Sequence, residues 1–313
     1  MHSIFRLLLA TCCAAIVAPA FAVDDGPRAY FPVPVGTTNL NVIGLFQNTN
    51  SSLDPATAIK GADLDVDVVI FQYSRTFDVG GNSAGIVVVA PFGEVRGTAV
   101  LAGPLGNNTL TRSTQSRGIG DISIVGVIGL VGSPALTRPQ YAEYVPGFSL
   151  GAMVWVTAPT GEYDGNKAIN LGTNRWAFRV GAPLGWTLGG SYLSSTLTTI
   201  EFVPSVTFYT DNTSPFQAGR RSQSALYRIE GHLTHNFNRA MWASLDLTAN
   251  SGGATTTDGK SDDNKKIWTG AGITAGVNFS PAAGLSFSYG RIVSSNDSAP
   301  KGNGYRVNFR YTF

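Results

Sequence analysis

The chain has 313 residues, 37 of them glycine, and only 13% are charged, against about 25% in an average soluble domain. Its 22 basic and 20 acidic side chains leave no basic excess to draw it to nucleic acid or an anionic surface. No apolar run beyond the N-terminal segment reaches the roughly 18 residues that a transmembrane helix needs, which leaves dispersed apolar residues and hence a β-rich fold, soluble or membrane-embedded.

In chain order, the first feature is a secretory signal. Arg6 supplies the positive charge, Leu7 to Val17 the apolar stretch, and Ala20-Phe21-Ala22 a small-x-small cleavage site before Val23. Cys12 follows Thr11 and falls too early in the apolar run for a lipoprotein site. Both cysteines, Cys12 and Cys13, leave with residues 1–22, so the mature chain is held by something other than disulfides. Residues 23–36 are expected as a periplasmic lead-in with an untethered terminus at Val23, and residues 37–313 as the folded body.

From residue 37 onward the pattern has a period of two. Candidate strands are Thr37–Gln47, Asp63–Arg75, Ser83–Phe92, Gly120–Val131, Phe148–Thr157, Thr173–Leu188, Thr198–Thr210, Leu226–Phe237, Met241–Asn250, Ile267–Ser280 and Leu285–Ser294, followed by a last strand ending at Phe313. Leu226–Phe237 sets Arg228, Glu230, His232 and Thr234 against Tyr227, Ile229 and Leu233. Met241–Asn250 sets Ser244, Asp246 and Thr248 against Leu245 and Leu247. In the final strand Tyr305, Val307, Phe309, Tyr311 and Phe313 alternate with Arg306, Asn308, Arg310 and Thr312. A soluble sandwich strand could carry that alternation. The aromatics at every second position up to a terminal Phe resemble the C-terminal strand by which outer-membrane barrels are recognised by the assembly machinery, with Tyr305, Phe309, Tyr311 and Phe313 as that signal.

The connections give a separate check. Asp78–Asn82, Asn238-Arg239 and Pro281–Gly284 are tight. Asn48–Ala62, Gly93–Arg117, Ala158–Gly172, Asp211–Ser222, Ser251–Lys266 and Ser295–Asn303 are long and polar, and long and short alternate. Gly132–Pro146 departs from the rule and is long enough for a helical turn. Short periplasmic turns and long external loops belong to outer-membrane barrels, whose strand number is even in single-chain bacterial examples. The reading is an all-β, transmembrane, antiparallel barrel of about twelve strands in outer-membrane lipid; a soluble β-sandwich is the alternative.

Several short motifs agree, in order, with a known family. They are Pro159-Thr160-Gly161-Glu162-Tyr163-Asp164, Asn170-Leu171-Gly172-Thr173-Asn174-Arg175-Trp176-Ala177-Phe178, Phe208-Tyr209-Thr210-Asp211-Asn212, Gly231-His232, Trp242-Ala243-Ser244-Leu245-Asp246-Leu247, Gly252-Gly253 and Asp258-Gly259. From Gly118 to the C-terminus the chain resembles the family called "putative MetA-pathway of phenol degradation", which groups predicted outer-membrane transporters; Val23–Arg117 matches only in general character. The resemblance implies uptake of small molecules, often aromatic or hydrophobic. It implies no cofactor and identifies no substrate.

Parity places Asp65, Asp67, Arg175, Arg179, Glu201, Arg228, Glu230, His232, Asp246, Arg306 and Arg310 in the lumen, with Tyr209 and Trp155 also inward. Their mixed signs suit paired networks across strands as well as a path for a small solute, and Arg306, Arg310 and Arg228 are the candidates for drawing in an anionic one. Tyr163 and Trp176 suit the aromatic girdles. His232, Ser244 and Asp246 are the only convenient partners for a lipase-like site, and no G-x-S-x-G motif accompanies them, so no catalytic residue is assigned. Gly118-x-Gly120 is too short for a nucleotide loop. Asp258, Asp262 and Asp263 lack the spacing of a calcium loop, and no metal site is assigned. Loops Gly93–Arg117 and Ala158–Gly172 are the expected lids, the first through Leu101, Leu105 and Leu110 folding into the mouth. A plugged, structural barrel is the remaining alternative.

Overall fold

The computed structural model describes residues 25–102 and 109–313; the signal segment, Val23 and Leu105 lie outside the described residues. The chain first runs up, down and up through β1 (Thr38–Thr49), β2 (Asp63–Val79) and β3 (Asn82–Ala102). It returns through β4 (Thr109–Ile119) and β5 (Ser123–Val131), then passes a short helix α1 (Arg138–Glu143) before β6 (Phe148–Thr157). β7 (Ala177–Gly181), β8 (Leu184–Leu188) and β9 (Thr198–Tyr209) come next, then a short external strand β10 (Arg221–Gln223). β11 (Leu226–Asn236) and β12 (Met241–Gly252) lead to the external β13 (Thr255–Thr257) and β14 (Lys260–Ser261). β15 (Lys266–Asn278), β16 (Ala283–Ser295) and β17 (Gly302–Thr312) complete the chain.

Neighbouring strands are antiparallel throughout, and β17 pairs with β1 from Asn39–Thr312 to Thr49–Gly302, which closes the sheet. Twelve crossings result, because two are made of two strands each. β4 pairs with the upper half of β3 and β5 with its lower half. β7 and β8 likewise both lie between β6 and β9. Prolines mark these breaks and their carbonyls stay in use: Pro91 accepts from the Gly120 amide at 2.9 Å, Pro183 from Gly151 at 2.8 Å and Pro204 from Ala182 at 3.0 Å. In hydrocarbon an unpaired backbone group costs several kcal/mol, so a wall can break its ladder only where such contacts replace it.

The β2–β3 turn is Gly80-Gly81, with φ of +60° and +85°, the left-handed conformation that a two-residue hairpin of this hand requires. The outer face is apolar: Phe71, Tyr73, Val154, Phe202, Leu247 and Ile273 are all exposed to the lipid side. Tyr305, Phe309, Tyr311 and Phe313 share that face, and the Phe313 amide donates to the Thr38 carbonyl at 2.8 Å beside the seam. The long link after β5 holds α1, as its length suggests.

Candidate functional site

The inward positions sort the lumen into two unlike halves. On β9, β11, β12, β15 and β16 they are polar. Glu201, Glu230, His232, Thr234, Ser244, Asp246, Thr274 and Ser288 are buried there. They are joined by short contacts: His232 Nδ1 to Asp246 at 2.7 Å, Ser244 Oγ donating to Asp246 at 2.6 Å, and Thr274 Oγ1 donating to the same carboxylate at 2.7 Å. Arg228 bridges Glu230 at 3.4 Å and donates to Asn250 at 3.0 Å. Every member answers a neighbour, which is the condition under which a buried polar cluster rigidifies rather than destabilises.

On β1, β2, β3, β5 and β6 the inward positions combine an apolar cluster with neutral polar side chains such as Asn41, Gln47, Gln72 and Ser123. Val89, Val125 and Met153 form one buried cluster, with Ile70, Val87 and Trp155 packed on it. Ile43 and Leu45 extend it along β1. A cavity of about 1070 Å³ runs from Leu53, Asp54 and Leu171 beneath the external loops to Arg75, Arg138 and Arg310 at the periplasmic end, with Val87, Val89 and Val125 on one side and Glu201, Val203, Arg228 and Thr274 on the other.

The N-terminal segment separates the halves. Residues 25–34 run inside the barrel, where a periplasmic lead-in was expected. Asp25 forks onto Arg179 with two contacts of 2.8 Å, its amide donates to Glu230 at 3.0 Å, and the Arg28 amide donates to Glu201 at 2.9 Å. The Arg28 guanidinium donates to Asn236 at 2.7 Å and stacks 5.0 Å over the Trp242 ring. Below, Tyr141 of α1 donates to the Pro32 carbonyl at 2.9 Å and stacks 4.6 Å from Tyr192, with Phe31 edge-on to Tyr192. Burial raises the Tyr141 and Tyr192 hydroxyls above the ordinary tyrosine range. The polar half needs this segment: without Asp25, Arg179 would face only Glu230.

The external end is closed by loops. Ile169 and Leu171 pack inward on Leu64, Val66, Val68, Val95 and Ala99. The loop reaches them because Gly161 and Gly172 cross backbone to backbone; a Cβ on Gly172 would lie 2.8 Å from Gly161. Asp121 locks the crossing by accepting from the Gly161 and Thr173 amides at 2.9 and 2.8 Å. Arg175 then pairs with Asp54 at 2.8 Å and lies 4.3 Å over the Tyr209 ring. Gly93–Arg117, the other expected lid, is instead a hairpin that prolongs the barrel wall through Ala102 and from Thr109. Among the described residues, the second expected lid packs over the mouth.

A family model matches residues 47–309, most of the chain. The chain belongs to the family described as "Putative MetA-pathway of phenol degradation". Its fold is similar to that of the COG4313 outer membrane channel from Pseudomonas putida F1, with a TM-score of 0.71 and 21% identity over 93% of this chain and 100% of that one. Likeness to the P. putida toluene transporter TodX is looser, with a TM-score of 0.41 and 10% identity over 94% of each chain. No curated protein matches in sequence. The fold is that of a bacterial outer-membrane barrel.

The family motifs prove to be lid and network. Pro159–Asp164 and Asn170–Phe178 build the glycine crossing and the Arg175 anchor, and Gly231-His232 with Ser244 and Asp246 forms the polar half. Arg175, Arg179, Glu201, Tyr209, Arg228, Glu230, His232 and Asp246 lie on the inner side of the wall. Arg306 and Arg310 line the periplasmic end of the cavity, and Arg310 donates to Asn278 at 3.1 Å.

Asp65 and Asp67 do not face the lumen. They stand on the outer face of β2, with Arg96 reaching Asp67 at 2.9 Å, while Leu64, Val66 and Val68 point inward. The alternation was right and the face inverted, because this end of β2 rises above the lipid, where water lies outside and the apolar lid inside. Trp176 faces outward and stacks on Phe178. Tyr163 is no girdle residue: its hydroxyl donates to the Ser214 carbonyl at 2.9 Å and ties two loops together.

His232 sits between Asp246 at Nδ1 and Glu230, 3.9 Å from Nε2, so both ring nitrogens face carboxylates. Ser244 donates to Asp246, the orienting group of a triad, and the arrangement is not a nucleophile beside its base. Asp258 accepts from the Gly219 and Arg220 amides, Asp262 from the Thr255 and Thr257 hydroxyls, and Asp263 from Ser261, so these carboxylates hold their loop. Asp25, Tyr30, Arg28, Asp54 and Asp121 were missed by sequence reading. Short, proline-rich or loop-borne stretches offer no periodicity to place them.

Proposed function

We propose that this barrel is a passive outer-membrane channel for small apolar molecules, aromatic ones included, and that they travel along the β1–β6 half of the lumen. The carrying observation is the apolar stretch of cavity wall formed by Ile43, Leu45, Val87, Val89, Val125 and Trp155, whereas Glu230, His232 and Asp246 across the lumen are buried in charge pairs and do not line the cavity. Transfer from water to such a wall is favourable by about 25 cal/mol per Å² of apolar surface. Membership of a family described by phenol degradation supports the same class of solute.

Uptake by intact cells tests this, since a lipopolysaccharide leaflet slows apolar solutes that a phospholipid bilayer would pass. A Gram-negative host lacking its own apolar channels and expressing this barrel should take up radiolabelled toluene several-fold faster than the empty host, with glucose entry unchanged. Equal toluene rates would contradict the proposal, and equal acceleration of glucose would point to an open porin.

A further inference from the structure

The Asp25–Tyr30 pair occupies a site with two chemically distinct parts. The Tyr30 ring packs on the apolar cluster of Val89, Val125 and Met153, beside Trp155. Its hydroxyl donates to Asp25 at 2.5 Å, and the Asp25 carboxylate takes both terminal nitrogens of Arg179 at 2.8 Å. Arg179 is held in place independently: its Nε donates to Ser205 at 2.9 Å, Glu230 lies 3.2 Å from Nη2, and the guanidinium stands 5.7 Å over the Trp155 ring. Taken together, the segment presents an aromatic ring in an apolar pocket and a carboxylate on a fixed, buried arginine.

We propose that this is a ligand site for a small aromatic carboxylate and that the N-terminal segment occupies it as a built-in competitor. The proposal rests on the channel reading, since only a lumen that admits solutes brings a ligand to Arg179. Charge decides the class. Arg179 pairs with Asp25 and Glu230, and Arg228 pairs with Glu230, so withdrawing Asp25 leaves two guanidinium groups sharing one buried carboxylate. An uncompensated buried charge is strongly unfavourable, so Asp25 yields its place on Arg179 to another anion and resists a neutral group of equal size, while Arg28 keeps its hold on Glu201. Planar, two-pronged recognition by arginine suits a carboxylate in particular. The cavity that touches Arg179 also reaches Arg306 and Arg310, which supply a basic approach from the periplasmic end.

The test uses the full-length mature barrel in detergent, its folding verified by faster migration of the unheated sample in gels, and titrates benzoate against its neutral isostere benzamide by calorimetry. Wild-type protein binds benzoate weakly, because an occupied site lowers apparent affinity by the fraction that is free. Asp25→Ala should tighten benzoate at least about tenfold by the same relation and leave benzamide unchanged. Adding Arg179→Gln to Asp25→Ala should abolish the gain. If that double variant fails to fold, the benzoate and benzamide comparison in Asp25→Ala decides alone. Unchanged benzoate affinity in Asp25→Ala, or an equal gain for benzamide, overturns the proposal. A barrel that carries toluene yet ignores benzoate in Asp25→Ala loses this site and keeps its channel. One that binds benzoate in that variant and carries no toluene keeps the site and loses the channel.

Discussion

The two halves of the lumen are built from the same backbone and stabilised by different physics. On β9 to β16 a set of charged and hydroxylic inward side chains is buried and matched partner to partner, and Asp25 and Arg28 of the N-terminal segment join it. On β1 to β6 an aliphatic cluster touches the cavity. The polar half therefore loses stability through unpaired groups and the apolar half through lost packing. The aliphatic cluster gives the cavity a wall that suits a solute wanting no hydrogen bonds. A barrel needs rigidity and a route, and this one assigns them to opposite walls.

Breaking the polar half should have the largest effect. Glu230 is fully buried and touches both Arg179 and Arg228. Glu230→Ala leaves two guanidinium groups with one carboxylate, a loss of about 3–5 kcal/mol by analogy with other broken buried pairs. Its measure is the midpoint for unfolding in detergent, followed by gel migration. A Glu230→Ala barrel as stable as the wild type would mean that the charge network contributes nothing to rigidity.

A smaller effect is expected at the lid. In Gly172→Ala the new Cβ meets the Gly161 backbone at 2.8 Å, and overpacking of this kind costs about 1–3 kcal/mol. The strain falls on residues 158–172 and leaves the barrel wall intact. Trypsin applied to intact cells should cut at Lys167 faster in this variant, while unheated gel migration stays that of a folded barrel. Unchanged cleavage would show that the glycine crossing is not what holds the lid down.

The fold was legible because a barrel writes itself at period two. The candidate strands match the crossings, and the long and short connections mark which end is external. The polar half was legible for the same reason, since Arg228, Glu230, His232 and Asp246 lie on regular strands where parity fixes the face. Parity gives two faces without saying which is inside. At Asp65 and Asp67 the rule that charge points inward failed, because β2 begins above the lipid and has not yet entered it there. The Gly93–Arg117 hairpin was read as a lid, since its glycines and polar residues hide a ladder that continues β3. The N-terminal segment was least legible. Pro27, Pro32 and Pro34 deny it regular structure, and its place is set by partners such as Arg179 and Glu201, more than 150 residues away in sequence.

The central claim is that solutes use the apolar wall, and a block placed in that wall tests it most directly. Val127 of β5 lines the cavity and is only half-buried, so a larger side chain there projects into free space. Initial toluene uptake should be compared in matched cells expressing wild-type protein or Val127→Trp, with the amount of folded barrel measured in each. The account predicts that Val127→Trp assembles normally and that toluene entry falls to the rate of the empty host. Wild-type uptake through a folded Val127→Trp barrel would contradict it.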